Sequence, residues 1–182
     1  MKVSLGPVSY YWSREALLDF YQRAATWPVN VIYLGETVCS KRRALHTAEW
    51  IDLARELAKT GKTVVLSTLT LIEADSELST VSRLCDNGEL LVEANDMAAV
   101  QLMSEKKLPF VTGPAINIYN ARTLQRLHKS GLIRWTAPIE LTRSTLIEIL
   151  NEAAVLGFRN NIETEVFTLG YMPLTWSARC FT

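Results

Sequence analysis

The first group of residues that could do chemistry is a thiol followed by a run of cations. Cys39 is separated by one serine from Lys41, Arg42 and Arg43. The stretch before it, residues 29–34, is apolar and β-branched, which predicts a strand buried on both faces. Nearby positive charge favours the thiolate, the form that binds metals or attacks as a nucleophile. We therefore expect Cys39 to be a metal ligand or a reactive thiol where a strand ends.

The two other cysteines have different settings. Cys85 follows Leu78 and Val81 at helical spacing, so we interpret it as a small buried side chain of the core. Cys180 lies beyond the last predicted strand, next to Arg179, in a segment typical of a loop. Cys39 and Cys180 could share a metal at one end of the fold, but two thiolates do not complete a site.

The two histidines add little to this picture. His46 follows Cys39 by seven residues and could form a Cys–His pair with it, although its place just before a predicted helix is more typical of a solvated turn. His128 falls in the last turn of another predicted helix, where a cation interacts favourably with the helix dipole. The sequence contains no HExxH, nucleophile-elbow or P-loop motif. The motifs therefore favour neither a common protease site nor a nucleotide-phosphate site.

Strands and helices that alternate along the chain must position these residues. Gly61, Gly88, Gly131 and Gly157 each end a predicted helix shortly before the next apolar strand. Such alternation requires right-handed crossovers and a parallel sheet. We expect an α/β fold, an incomplete TIM-like (β/α) barrel with about seven parallel strands, as one domain over residues 1–182. The predicted strands are 2–5, 29–34, 63–67, 90–93, 110–112, 132–136 and 165–169.

The helices between these strands are predicted from their first residues and their apolar stripes. Side chains of Ser, Thr, Asp and Asn accept hydrogen bonds from the first backbone N–H groups of a helix, so these residues mark helix starts. In the helix near residue 75, Leu78 is expected in the core beside Cys85. The predicted helix starts are Ser13, Thr47, Asp75, Asp96, Asn120 and Thr142.

Polar side chains gather near the predicted strand ends, where parallel barrels place their active sites. Carboxylates, amides and a guanidinium at one barrel mouth would suit a small polar or aromatic ligand. Each of them is as often a helix cap, and Asn120 and Asp96 are well placed for that role. Trp12, Trp135 and Trp176 also fall near strand ends, although packing in the core or wall is the simpler interpretation. The rim groups are Glu36, Glu73, Glu93, Asn95, Asn117, Asn120, Glu140 and Arg179.

The composition is that of an ordinary globular domain, with 48% hydrophobic and 21% charged residues. The formal net charge is zero, which argues against a protein that binds nucleic acid mainly through phosphates. No apolar run approaches the roughly 18 residues that a membrane span requires. The first residues lack the pattern of a signal peptide, so the cytoplasm is the expected location. Three widely spaced cysteines do not form a disulfide framework in that compartment.

Five segments of the chain together resemble the collagenase-like peptidase family. The resemblance implies a 4Fe–4S cluster held by four cysteines, two of which match Cys39 and Cys180. It places the other two ligands beyond Thr182, so this chain is expected to be truncated at its C-terminus and to bind a cluster incompletely or not at all. The segments are LGPVSYYW (5–12), YLGETVCSKRR (33–43), VEANDMAA (92–99), GPAINIYN (113–120) and GYMPLTWSARC (170–180).

Members of this family hydroxylate their substrates without molecular oxygen, and those most similar to this chain act in anaerobic ubiquinone biosynthesis. The resemblance therefore implies an iron–sulfur component that forms a heterodimer with a paralogous subunit and takes a quinone precursor as substrate. Asn117, Asn120 and Glu36 are the expected substrate-binding residues, and no catalytic residue is assigned. A family peptidase and a non-catalytic partner subunit are the alternatives. RNA modification, known in relatives, is disfavoured by the zero net charge.

Overall fold

A computed structural model describes residues 1–173 and 175–177 of the chain. One curled sheet of seven strands organises it, and the strands follow each other in chain order. The strands are β1 (Ser4–Leu5), β2 (Val31–Leu34), β3 (Thr63–Ser67), β4 (Leu91–Ala94), β5 (Phe110–Thr112), β6 (Leu132–Thr136) and β7 (Glu163–Glu165). The helices are α1 (Arg14–Ala24), α2 (Thr47–Ala58), α3 (Asp75–Cys85), α4 (Met97–Glu105), α5 (Ala121–Lys129) and α6 (Arg143–Val155).

Every neighbouring pair of strands is parallel. A helix connects each of these pairs, with a short 3₁₀ helix added before α5 and another before β7. This arrangement confirms the predicted α/β fold, an incomplete TIM-like barrel. In such barrels the loops that follow the strands lie at one rim, which is the usual place of an active site.

Local sequence explains where several helices begin and end. Ser13, Asp96, Asn120 and Thr142 each accept a hydrogen bond from a backbone N–H in the first turn of their helix, which confirms these four predicted caps. After α5 the chain turns at Gly131, whose φ is +113°. A Cβ there would lie 3.0 Å from the Leu108 carbonyl oxygen, so glycine permits both the turn and the close approach.

The hydrophobic core has an outer layer between sheet and helices and a smaller inner layer. Ile32 and Leu34 of β2 point outward and pack against α1 and α2. Val31, Val65 and Val111 point to the concave side and form the inner layer. Because alternate residues of a strand point to opposite faces, β2 is buried on both faces, as the sequence predicts.

The two ends of the sheet are joined by side chains. The Lys2 ammonium lies 2.7 Å from Glu163 Oε1, and the Ser4 hydroxyl donates a 2.5 Å hydrogen bond to Glu165 Oε1. Within the part of the chain that the structure describes, β1 pairs only with β2 and β7 only with β6. The sheet therefore curls far enough for its first and last strands to meet, without a backbone ladder between them.

The prediction for β7 is wrong in its position. The apolar residues 166–169 suggest a strand over 165–169, but β7 is Glu163–Glu165. Pairing with β6 decides this, because Arg134, Trp135 and Thr136 stand opposite Glu163, Thr164 and Glu165. Glu165 consequently ends the strand and lies inside the barrel.

Three smaller predictions also need correction. α2 is preceded by His46, whose backbone N–H donates to Glu49, and Thr47 is its first residue. Leu78 is exposed, because α3 turns Val81, Leu84 and Cys85 toward the core. β1 and β2 begin two residues later than predicted, at positions 4 and 31. Among the described residues, no helix is both long and apolar enough to span a membrane.

Candidate functional site

The Cys39 loop leaves the carboxyl end of β2 through Gly35. Gly35 has a φ of +147°, and a Cβ at this position would overlap the Ser67 carbonyl of β3, so only glycine fits. Beyond it, Glu36 Oε1 accepts hydrogen bonds from the backbone N–H groups of Val38 and Cys39, at 2.9 and 3.0 Å. Glu36 therefore folds the loop and holds Cys39, half-buried, at the rim.

Glu36 is itself half-buried. Burial raises the pKa of this carboxyl, whereas the N–H groups of Cys39 and Val38 act in the opposite direction. Both N–H groups contact the same oxygen, so the second oxygen takes no part in these two hydrogen bonds. Glu36, one of the predicted substrate-binding residues, thus positions the predicted metal ligand.

Of the three cations after Cys39, Arg42 is held by a neighbouring segment. The Arg42 guanidinium donates a 2.8 Å hydrogen bond to the Ser9 carbonyl. The hydroxyl of Ser40 donates to Glu77 at 2.5 Å. Lys41 and Arg43 are exposed. The basic surroundings of the thiol therefore have a defined backbone, and their effect on thiolate formation stays a prediction.

The other cysteines and histidines singled out in the sequence lie in different surroundings. Cys85 is 1% exposed in the core, and burial raises its pKa to about 11, which confirms its interpretation as a buried hydrophobic side chain. Cys180 and Arg179 lie outside the described residues. His46 is exposed, and in the described part of the chain no hydrogen bond joins it to Cys39.

The described donors do not complete a metal centre by themselves. Within residues 1–173 and 175–177, no three His, Cys, Asp or Glu side chains lie together in a way that could hold a metal ion. A 4Fe–4S cluster takes four thiolates, whereas the sequence has three cysteines and Cys85 is buried in the core. Cys39 is thus a possible single ligand, and this chain alone does not fit a complete cluster.

A second polar group runs from the barrel interior to its edge and is here called the interior acid cluster. It consists of the buried Tyr33, Glu93 and Arg134, the half-buried Glu165 and the exposed Glu163. The Tyr33 hydroxyl donates to Glu165 Oε2 at 2.5 Å, and Arg134 Nη1 donates to the Tyr33 oxygen at 3.4 Å. Arg134 also donates to Glu163 Oε2 at 2.6 Å. These bonds connect β2, β6 and β7 across the interior. Burial, and then the charge of Glu165, raises the pKa of Tyr33.

Glu93 is the most deeply buried carboxyl of this cluster, with 5% of its surface exposed. Asn95 Nδ2 donates to Glu93 Oε2 at 3.1 Å and to the Thr68 carbonyl at 3.0 Å. A Cβ on Gly113 would lie 2.8 Å from Glu93 Oε1 and would overlap the Asn95 side chain. The glycine that follows β5 therefore leaves room for the side chains of Glu93 and Asn95.

A small cavity of about 110 Å³ lies at the same rim, after β5 and β6. Asn117, Glu140 and Trp176 line it together with prolines from three segments. Asn117 adopts a left-handed conformation, with φ +58°, and Tyr119 donates a 2.9 Å hydrogen bond to Glu140. The structure thus brings two predicted rim groups, Asn117 and Glu140, to one cavity.

The remaining rim candidates make contacts that stabilise the fold. Asn120 Oδ1 accepts from the Thr123 N–H at 2.8 Å and caps α5. Trp135 is fully buried in the outer layer, and its indole donates to Thr164, so packing is its role. Trp12 packs edge-on against Phe20. A larger cavity, of about 390 Å³, lies at the opposite end of the barrel, before β5 and β6.

Four residues of the interior acid cluster were missed by sequence reasoning. Tyr33 and Arg134 lie within strands that the sequence predicts to be apolar. Both were therefore interpreted as residues of the barrel wall. Glu163 was placed before the last strand and Glu165 at its start. The alternation of charged and uncharged residues at 163–165 is the signal that could have indicated an inward-facing polar strand.

Comparison with models of known protein families identifies the family of this chain. A model of peptidase family U32 matches residues 14–182. The chain belongs to this family. The U32 name agrees with the resemblance to collagenase-like peptidases that five segments of the sequence carry.

Solved structures share the fold of this U32 chain at low identity. A mandelate racemase/muconate lactonizing protein from Paracoccus denitrificans is 13% identical, with a TM-score of 0.58 over 92% of this chain and 47% of its own. Dihydropteroate synthase from Thermus thermophilus is 12% identical, with a TM-score of 0.53 over 91% and 71%. The chain spans about half the length of the first of these structures. These likenesses indicate the barrel fold alone.

Proposed function

We propose that this U32 chain is the barrel of an iron–sulfur component in an oxygen-independent hydroxylation step of anaerobic ubiquinone biosynthesis. In the five segments quoted above it resembles the ubiquinone-biosynthesis protein UbiV. A UbiU-like paralogous subunit is the proposed partner in a heterodimer, and the cytoplasm is the proposed location. Family membership over residues 14–182 supports the coarser part of this proposal.

The observation that carries the proposal is the position of Cys39. Its thiol lies at the carboxyl end of β2, half-buried, in a loop whose conformation Glu36 fixes through two hydrogen bonds. A ligand held in this way is positioned before the metal binds, which is what a cluster site requires. Cys39 and Cys180 are the proposed ligands from this chain, and the remaining thiolates would come from outside this sequence.

A 4Fe–4S cluster, when bound, supplies one-electron transfer at a potential that its surroundings set. The residues of this chain would contribute in other ways. Glu36 would orient the Cys39 backbone, and the buried part of the loop would limit the access of water to the thiolate. Arg42, fixed on Ser9, would contribute positive charge near the anionic ligands.

The rim cavity is the proposed place for part of the quinone precursor. Trp176 offers an aromatic face, and Asn117 and Glu140 offer polar atoms, which suits an aromatic ring with oxygen substituents. Asn117 is the principal candidate among the predicted substrate-binding residues. Asn120 has its oxygen engaged in the α5 cap, so only its amide N–H groups would meet a ligand.

Peptide hydrolysis is the second candidate function, because the matching family carries a peptidase name. It would need a nucleophile with a base in contact, or a metal-bound water. Cys39 is the accessible nucleophile of the described rim, and in that part of the chain no hydrogen bond ties it to a base.

The test uses the full-length protein in cells that lack its gene and grow without oxygen. Three versions are compared for ubiquinone content: wild type, Cys39→Ser and, as a matched control, Cys85→Ala. We expect Cys39→Ser to abolish ubiquinone formation and Cys85→Ala to keep it, because Cys85 contacts only the core. Purified wild-type protein is also assayed for peptide cleavage.

Each outcome of this test has a meaning. Full ubiquinone formation by Cys39→Ser would contradict a cluster role for this chain and would favour the non-catalytic partner subunit. Peptide cleavage that is lost only in Cys39→Ser would favour the peptidase. Equal loss in both variants would mean that thiol replacement harms folding, and circular dichroism of the purified variants would show this directly.

A further inference from the structure

The larger cavity of the barrel, about 390 Å³ in volume, lies at the amino ends of β5 and β6, opposite the Cys39 rim. Its volume falls in the range of roughly 300–1,000 Å³ that is usual for small-molecule sites. The loop between α4 and β5 forms one wall, and the end of α5 with the start of β6 forms the other. The cavity offers an apolar surface to the body of a ligand, made of Leu108, Pro109, Leu132 and Ile133.

The polar lining of this cavity is basic. It consists of Lys107, Lys129 and His128 with Ser104 and Ser130, and no carboxylate is among the described residues that line it. Within the part of the chain that the structure describes, neither lysine takes part in a salt bridge. Two ammonium groups beside an apolar surface fit a ligand that carries a negative charge on an apolar body.

Two acids of the neighbouring helix ends are engaged elsewhere. Asp86, which follows α3, pairs with Lys106. Glu105, the last residue of α4, accepts a 2.6 Å hydrogen bond from Gln101. Neither acid lines the cavity, so its lysines keep their positive charge without a neighbouring counter-charge.

Lys107 occupies a backbone position that favours glycine. Its φ is +54°, a left-handed conformation that residues with a Cβ rarely adopt. Its N–H donates to the Ser104 carbonyl at 3.0 Å, and the next N–H donates to the Met103 carbonyl at 3.1 Å, a pattern of helix ends that usually have glycine there. The same pattern ends α6, where the residue is Gly157, with φ +80°. A lysine where glycine fits better indicates a use for its side chain.

The α5 side of the cavity is fixed by its own contacts. His128 Nδ1 lies 2.9 Å from the Leu132 carbonyl oxygen, and because a carbonyl can only accept, this nitrogen carries the hydrogen. The ring stacks on Phe158, with ring centroids 5.5 Å apart and an angle of 20° between the planes. The His128 carbonyl accepts from the Gly131 N–H at 3.0 Å, which closes the helix end. A ligand would therefore meet a preformed wall.

We propose that this cavity binds a small organic anion, a carboxylate on an apolar body, whose charged group pairs with the ammonium groups of Lys107 and Lys129. The apolar lining would cover the body of the ligand, and each ammonium would pair with a carboxylate oxygen. The site lies at the end of the barrel opposite the Cys39 loop, so it goes beyond the proposed function and does not depend on a metal cluster.

The experiment compares cyclohexanecarboxylate with its neutral amide, cyclohexanecarboxamide, which has nearly the same shape. NMR titration of the chain at neutral pH gives both affinities and shows which backbone amide signals shift. We expect the carboxylate to bind and the amide to bind more weakly, with shifts at Leu108 and Gly131 and not at Asn117 of the rim cavity. Added salt should weaken binding of the carboxylate, because both lysines are exposed.

Lys107→Gly separates binding from folding. Glycine relieves the left-handed backbone, so the Tm should equal or exceed that of wild type, whereas the affinity for the carboxylate should fall about threefold to fivefold. Lys129→Gln should weaken binding by a similar factor. The matched control is Lys59→Gln, which removes a lysine that pairs with Glu56 and does not line the cavity, and it should bind like wild type.

Several results would overturn the proposal. They are absence of carboxylate binding to wild type, equal affinity for the amide, and equal affinity in wild type and both cavity variants. Equal weakening by Lys59→Gln would show that net charge alone matters, and a lower Tm of Lys107→Gly would show that the lysine serves the helix end, so each would also contradict it. A failure of cluster formation would appear in iron content and not in these titrations, so the two proposals fail separately.

Discussion

The Tyr33 hydroxyl donates a 2.5 Å hydrogen bond to Glu165, a residue that lies 132 positions later in the chain. This bond crosses the barrel interior from β2 to β7. Ser4 of β1 donates to the other oxygen of the same carboxylate. Glu165 therefore holds the first two strands against the last one, where no backbone ladder is formed among the described residues.

Replacing Tyr33 by phenylalanine should destabilise the fold. The change keeps the ring in the inner layer but removes the donor to Glu165 and the acceptor for Arg134. Because Arg134 stays buried and Glu165 half-buried, we expect a loss of about 1–3 kcal/mol in the free energy of unfolding, measured with urea. Tyr10→Phe, at an exposed ring, should change it by less than about 0.5 kcal/mol. Equal stability of the two variants would contradict the role of the Tyr33 hydroxyl.

The buried Glu93 should make stability depend on pH with a defined sign. The pKa of Glu93 is raised in the folded state above its ordinary value of 4.5, so the folded protein holds a proton that the unfolded chain has already lost. Stability relative to Glu93→Gln should therefore fall as the pH rises above 4.5 toward the folded pKa. Urea unfolding from pH 4.5 to 8 measures the difference, and parallel curves for the two proteins would refute it.

Gly113 should not tolerate a side chain, although its backbone conformation suits any residue. Its φ is −76°, so the cost of Gly113→Ala is steric: the new methyl group would collide with Asn95 and approach Glu93. We expect a destabilisation of about 1–3 kcal/mol. The control is Gly6→Ala, since nothing lies within 4 Å of a Cβ there. If thermal unfolding shows both variants to be alike, the tight packing around Glu93 is wrong.

Cys39 should react with thiol reagents much faster than Cys85. Cys39 is half-buried at the rim, whereas Cys85 is in the core with its pKa raised to about 11, and only the thiolate is nucleophilic. Iodoacetamide labelling at pH 8, followed by peptide mass mapping, gives both rates in one sample. Labelling of Cys85 before Cys39 would contradict the placement of the two thiols.

Much of the fold could be predicted from the sequence because local patterns determine it. β5 and β6 have the predicted bounds, since each is a short apolar run between clear turn signals. Asn120 and Thr142 cap the helices they were expected to cap, because a cap depends on residues within one turn. The rim position of Cys39 followed from the strand before it.

The interior acid cluster could not be predicted in the same way. Its bonds join residues 29 to 132 positions apart, and a single sequence does not show which strands curl toward each other. β7 was misplaced for this reason, because its polar residues pair with β6 while the apolar residues after it do not. Glu93 was recognised as a rim group, but its burial and its hydrogen bond from the Asn95 amide become visible only in the folded structure.

The central claim is that Cys39 is a ligand of an iron–sulfur cluster, and the most direct measurement is iron and sulfide per chain after anaerobic reconstitution. The full-length protein is compared with its Cys39→Ser and Cys85→Ala variants. The account predicts about four irons and four sulfides for wild type and for Cys85→Ala, with a large loss for Cys39→Ser. Wild type without iron, or Cys39→Ser with a full complement, would contradict it.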